Sequence, residues 1–184
     1  MEKKILIAGF GGQGILLLGK ILAYAGMLED KEVTWFPSYG GEMRGGTANC
    51  AVIISDELIA SPIVTNPDIL IVMNDASLKK FQPLLKQKGV LIFDSSLIKK
   101  PDLRNDVEVL GVPATEISSS IGYTRSANMV LIGALIAKTR LLSEKSIFEA
   151  IESSITYGKN SIDMNKIAIM GGKRYFEDKK SQDF

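Results

Sequence analysis

Short apolar runs of strand length alternate with longer stretches of helical period along most of the chain. Lys4–Ala8, Val33–Phe36, Ala48–Ser55, Ile69–Asn74, Val90–Asp94 and Val107–Val112 read as strands. Their apolar residues are near-continuous and rich in Val and Ile, the pattern of strands buried on both faces. Helical spacing predicts helices over Gln13–Met27, Ser77–Lys88, Ser126–Thr139, Glu144–Ser154 and Asp163–Phe176. Pro37 closes the second strand, Pro83 threatens the second helix from within, and Gly89 suits its C-cap. Asp56-Glu57 reads as the turn of a hairpin running on to Leu58–Ala60, which places an antiparallel edge at 55–62. The alternation predicts an α/β fold of three layers, α/β/α, with a mainly parallel sheet and an antiparallel edge hairpin. Residues 1–176 read as one such unit. The mixed-charge run from Lys173 reads as fraying, with 177–184 as a charged, disordered tail.

Composition removes whole classes of chemistry from this picture. A chain of 184 residues holds one sizeable core. With 22 Lys+Arg against 21 Asp+Glu it lacks the basic surplus of a nucleic-acid binder. It contains no histidine, which excludes Ser-His-Asp and Cys-His nucleophile pairs and His-ligated metals. Cys50 is the single thiol, too few for an internal disulfide or for the four-Cys ligation usual in an iron–sulfur cluster. No run approaches the ~20 apolar residues that span a bilayer, and no leader precedes the first strand, so the expected location is the cytoplasm, away from any membrane.

Two glycine clusters carry the candidate chemistry. Gly9, Gly11 and Gly14 satisfy G-x-G-x-x-G between the first strand and the first helix, the Rossmann-like position for a dinucleotide, where backbone N–H groups face an anion. That fingerprint also requires a carboxylate at the end of the second strand for the ribose. The chain has Phe36-Pro37-Ser38 there, so a free-standing NAD(P) oxidoreductase is the alternative reading, beside a purely structural turn in a scaffold module. Gly14 to Lys20 also fits G-x-x-x-x-G-K, but Ile21 stands where a P-loop needs Ser or Thr for magnesium. The second cluster, "FPSYGGEMRGGTANC" from Phe36 to Cys50, begins at the carboxyl end of the second strand and is expected to face the first across one crevice. Arg44 offers a fork for phosphate or carboxylate, with Glu42 and Tyr39 beside it.

These residues carry a family likeness. The pieces "GFGGQGILLLGKILAYAG" at 9–26, "PSYGGEMRGGTANCAVIISD" at 37–56, "PDILIVMN" at 67–74, "VPATEI" at 112–117 and "ANMVLIGAL" at 127–135 occur in one order. The sequence resembles the gamma subunit, or gamma domain, of the 2-oxoacid:ferredoxin oxidoreductases, and it departs from the family pattern at Gly41, where proline is common. The resemblance implies one part of a multi-subunit enzyme that oxidatively decarboxylates a 2-oxoacid with coenzyme A, giving acyl-CoA, CO2 and reduced ferredoxin. It implies alpha, beta and, where separate, delta subunits as partners and ferredoxin as electron acceptor. Coenzyme A and thiamine diphosphate would lie at interfaces of the complex and iron–sulfur clusters in the partners, with no cofactor bound by this chain alone. Gly11, Gly12, Gln13 and Gly14 would face the cofactor region with Tyr39, Glu42 and Arg44, and Thr124 and Asn128 are further candidates. The "PSYGGEMRGG" wording leans towards the 2-oxoglutarate or branched-chain types over pyruvate. A subunit of such a complex keeps apolar surface uncovered when alone, so Met27, Trp35, Phe36 and Met43 are expected at partner surfaces, with self-association of the isolated chain as a consequence.

Overall fold

A computed structural model of the chain describes residues 1–38, 47–155 and 158–182. Its strands are β1 (Glu2–Phe10), β2 (Glu32–Ser38), β3 (Thr47–Ser55), β4 (Ile69–Val72), β5 (Val90–Asp94) and β6 (Glu108–Val112). They form one sheet in the order β2-β3-β1-β4-β5-β6. The helices are α1 (Ile15–Leu28), α2 (Asp75–Phe81), α3 (Ala114–Ser120), α4 (Ala127–Thr139), α5 (Glu144–Ser154) and α6 (Lys159–Gln182). None among the described residues is long and apolar enough to cross a membrane.

The two-residue period of the strands divides the core into two layers. Ile5, Ile7, Cys50, Val52, Ile54, Ile69 and Ile71 face α1, α4, α5 and α6. Leu6, Ala8, Ala51, Leu70, Val72, Leu91 and Phe93 face α2 and the segment around Ile98. Helix cover is thus on both faces, as the alternation predicted, but it is unequal. Leu78 and Phe81 of α2 pack over β4 and its neighbours, whereas no described helix covers the β2–β3 end on that face.

β1 pairs in parallel with β4, β4 with β5, and β5 with β6. β3 pairs antiparallel with both β1 and β2. The antiparallel element therefore lies at β2–β3 and not at 55–62. Leu58–Ala60 forms no strand, and residues 56–68 instead connect β3 to β4. Pro37 does not end β2, which continues to Ser38; as an edge strand it needs no hydrogen bond on its outer side, so proline is tolerated. The second helix does stop at Pro83, with α2 ending at Phe81 and a 3-10 turn over Gln82–Leu84. α3 was not anticipated. The run from Lys173, expected to fray, continues α6 to Gln182, and within it Tyr175 donates to the Gly111 carbonyl of β6 at 3.1 Å.

α4 and α6 cross at two glycines. A Cβ on Gly133 would lie 1.9 Å from the Ile169 carbonyl oxygen, and one on Gly172 would lie 1.9 Å from that of Val130. Backbone contact of this kind lets α6 sit directly on α4, which itself is almost entirely buried.

Candidate functional site

In an open sheet, ligands bind outside the carboxyl ends of the parallel strands, where neighbouring connections diverge. Here that place lies between β1 and β4. β1 leads through the turn Gly11–Gly14 into α1 on one face, and β4 leads through Met73 and Asn74 into α2 on the other. Because β3 runs antiparallel, its first residue, Thr47, pairs with Phe10, and Ser38 at the end of β2 pairs with Asn49. The residues flanking the second glycine cluster are therefore anchored at the same sheet edge as the first. Tyr39, Glu42 and Arg44 themselves, with Gly41 and Met43, lie outside the described residues.

The turn is fastened from three sides. Gln13 was expected to face the cofactor region, but its amide is engaged by the protein's own frame. Its Oε1 accepts from the Phe10 N–H at 2.6 Å, and its Nε2 donates to the Met73 carbonyl at 3.0 Å. Asn74 adds a longer contact from its Nδ2 to the same Oε1, at 3.4 Å. Asn74 also caps α2, its Oδ1 accepting from the Ser77 N–H at 2.7 Å. One glutamine amide thus links the β1 turn to the β4–α2 junction. From the other side Asn128, buried in α4, donates from Nδ2 to the Gly14 carbonyl at 3.1 Å. Thr124 stands apart from this network, exposed in the 3-10 turn Thr124–Ser126. Its neighbour Arg125 lines a cavity of about 330 Å³ shared with Leu17, Tyr123, Asn128 and Asn165.

The glycines of the turn answer to different demands. Gly9 is required by packing, since a Cβ would meet Gln13 Oε1 and Ile15 Cδ1 at 2.6 Å. Gly14 is required twice, by a left-handed φ of 75° and by Asn128 Nδ2, 2.3 Å from its Cβ position. Gly12 is required by its φ of 91° alone, with open space around it. Gly11 has neither constraint: its backbone is not left-handed, and nothing lies within 4 Å of where its Cβ would be. Gly11 and Gly12 are both exposed.

Two polar groups at the same sheet edge were not anticipated. Asn74, described above, is one. Asp94, fully buried at the end of β5, is the other: it accepts from the Thr115 hydroxyl at 2.5 Å and from the Ser96 N–H at 3.0 Å, holding the start of α3 to the strand. Their sequence signal is a polar residue that ends an apolar strand, in "ILIVMN" and "VLIFD". Cys50 is buried in the core; desolvation pushes its thiol up to about 12, although hydrogen bonds involving Trp35 and Gly19 act the other way. It is neither a cluster ligand nor a nucleophile in that state. The dinucleotide alternative also weakens on topology, because the place beside β1 that its ribose-binding strand would take belongs to the antiparallel β3.

Comparison with known proteins is in line with this geometry. Residues 4–175 match the family described as Pyruvate ferredoxin/flavodoxin oxidoreductase. The chain is 38% identical over 175 residues to the ketoisovalerate oxidoreductase subunit VorA of Methanothermobacter thermautotrophicus, covering 95% of this chain but 36% of that one. It is 40% identical over 163 residues to the 2-oxoglutarate synthase subunit KorC of Methanocaldococcus jannaschii, covering 86% of both. The chain thus spans about a third of the VorA relatives and most of the KorC ones. Among solved structures, the keto/oxoacid ferredoxin oxidoreductase gamma subunit of Geobacter sulfurreducens superposes with a TM-score of 0.82 at 30% identity, covering 96% of this chain and 95% of that one. A 2-oxoglutarate:ferredoxin oxidoreductase of Magnetococcus marinus shares the fold, with a TM-score of 0.87 at 23% identity and 31% of its chain covered. The chain belongs to the pyruvate ferredoxin/flavodoxin oxidoreductase family, as a unit of the gamma-subunit type.

Proposed function

We propose that this chain is the gamma subunit of a hetero-oligomeric 2-oxoacid:ferredoxin oxidoreductase, and that its glycine turn walls the coenzyme A region of the assembled enzyme. The observation that carries the reading is Gly11. Neither its conformation nor its own neighbours call for glycine, and the space above it is open. A missing side chain at such a position suits the close approach of something outside the chain, as the second glycine of a phosphate-binding turn does. The backbone of Gly11 and Gly12 would lie along the coenzyme, with the start of α1 behind it favouring negative charge. Gln13 and Asn128 would hold that backbone in place. Arg44 would supply the cation, with Glu42 and Tyr39 beside it.

The chain's own groups do not suit an iron–sulfur cluster, since its lone thiol is buried and bonded to the Ile15 carbonyl at 3.5 Å. The clusters would therefore sit in the alpha, beta and delta partners, with thiamine diphosphate and coenzyme A at interfaces of the complex and ferredoxin taking the electrons. The preferred substrate is 2-oxoglutarate or a branched-chain 2-oxoacid, a choice supported by the KorC and VorA names of relatives at 40% and 38% identity. The setting is cytoplasmic.

Reconstitution tests the reading. The partner subunits are purified from the native cell and assayed for coenzyme-A-dependent decarboxylation of 2-oxoglutarate, 3-methyl-2-oxobutanoate and pyruvate, with and without this chain. Activity is expected only when the chain is present, and Arg44→Ala should raise the KM for coenzyme A. Decarboxylation by the purified chain alone, or full activity of the partners without it, overturns the proposal.

A further inference from the structure

The amino ends of β1, β4, β5 and β6, the edge of the sheet away from the glycine turn, open on a cavity of about 360 Å³ that extends to the end of α4. Ile69, Val90 and Leu141 give it an apolar wall, and Lys3, Lys88, Lys138 and Arg140 line it beside Asp68 and Glu108. Both acids are already matched. Asp68 accepts from the Lys86 ammonium at 2.7 Å and from the Lys4 N–H at 2.8 Å, and Glu108 accepts from Lys138 at 2.7 Å. Lys3, Lys88 and Arg140 are left over: among the described residues none of their side chains has a hydrogen bond or an ion pair.

Lys88 and Arg140 are also held where the backbone disfavours them. Their φ values are 59° and 54°, the left-handed region that a Cβ penalises and glycine occupies freely. Arg140 ends α4, its N–H donating to the Ile136 carbonyl, at a position where helices commonly place glycine. Long cationic side chains at strained positions that converge on one cavity point to a use for the charge beyond solvation. The volume is at the small end of ligand pockets. An arginine fork with ammonium point charges beside it is a set that holds a phosphoryl group, and the apolar wall suits a compact organic body attached to it.

We propose that this cavity binds a small phosphate ester: Arg140, Lys88 and Lys3 take the phosphoryl oxygens, and Ile69, Val90 and Leu141 pack against the organic body. The site is independent of the gamma-subunit reading, since Lys3 lies at the start of β1 and Gly11 just past its end, about 25 Å away along the extended strand.

Isothermal titration calorimetry of the full chain with ribose 5-phosphate tests this. Lys100 is the control, because it is exposed and left-handed too, with φ 51°, but lines a different cavity. One-to-one binding with a Kd of about 1 mM or tighter is expected. Arg140→Gly and Lys88→Gly keep the backbone that each position already has, so each should raise the Kd about tenfold with the thermal midpoint of the ligand-free chain near the parent's. Lys100→Gly should leave the Kd as it was. Arg140→Asn, which also tolerates the left-handed region, replaces the glycine variant should that one unfold. Inorganic phosphate and succinate should bind at least about tenfold more weakly, the first for want of a body against the apolar wall and the second for want of a phosphoryl group. No binding at about 10 mM ester, equal weakening by Lys100→Gly, or an unchanged Kd in both Arg140→Gly and Lys88→Gly refutes the site. Phosphate or succinate binding as tightly as the ester refutes the ligand assigned to it.

Discussion

Alanine substitution at the three glycines of the β1–α1 turn separates what the fold requires from what a ligand requires. At Gly12, with a φ of 91° and open surroundings, only the left-handed backbone is penalised, at about 1–2 kcal/mol. At Gly14 the same penalty applies, and the new Cβ would also sit 2.3 Å from Asn128 Nδ2, the group that bonds the Gly14 carbonyl. Displacing that buried amide adds a lost hydrogen bond and some overpacking, for a total of about 3–5 kcal/mol. At Gly11 neither effect operates, and stability should stay within about 0.5 kcal/mol of the parent. Urea unfolding of the isolated chain, compared at constant m, gives the three values. The order Gly14 > Gly12 > Gly11 is the expected result. The functional half of the experiment uses the reconstituted complex: Gly11→Ala, silent in stability, should raise the KM for coenzyme A. Early unfolding of Gly11→Ala would show that the fold itself demands that glycine. Unchanged stability together with an unchanged KM would show that no coenzyme approaches it.

Three further outcomes follow from the packing and the charges. Gly133→Ala should destabilise the chain by about 2 kcal/mol or more in urea titration, because the α4–α6 clash with a rigid backbone outweighs the ~1 kcal/mol that alanine gains over glycine in a helix; a more stable variant would refute the direct contact of the two helices. Asp56 is held down to about 2 from its ordinary 3.8, first by the hydrogen bond from Lys31 and then by that from the terminal ammonium of Met1. Its contribution is therefore full above pH 3.8 and lost as the pH falls through about 2, so Asp56→Asn should flatten the acid limb of the stability profile in that window. Cys50, with its thiol raised to about 12, should remain unmodified by a thiol reagent at pH 8 in the folded chain and react fully in 6 M guanidinium; rapid labelling of the native chain would contradict its burial.

Much of this molecule is legible in residue order because strand and helix signals are local. The runs at 5–8, 69–72 and 90–94 and the amphipathic or buried helices at 15–28, 127–139 and 144–154 are set by periods of two and about 3.6, which need no knowledge of distant residues. The absence of histidine and the single cysteine likewise bound the chemistry before any folding. The glycine turn was visible for the same reason, and so was the break at Pro83.

What residue order did not reveal depends on contacts between distant parts of the chain. Nothing local tells β3 to insert antiparallel between β2 and β1, where Cys50, Val52 and Ile54 fall in the layer of α1 and Ala51 in the other. α3 escaped notice because seven residues hold too little periodicity to stand out, and Asp94, 21 positions from Thr115, secures its start. Gln13 and Asn128 enter as site candidates through the family resemblance; the fold adds that they bond partners 60 and 114 residues away, at Met73 and Gly14. A side chain's donors and acceptors are assigned by whatever the fold brings within about 3 Å, so composition and spacing determined the kind of frame this chain builds, and tertiary structure alone decided that these two amides brace the turn and that Gly11 is left open.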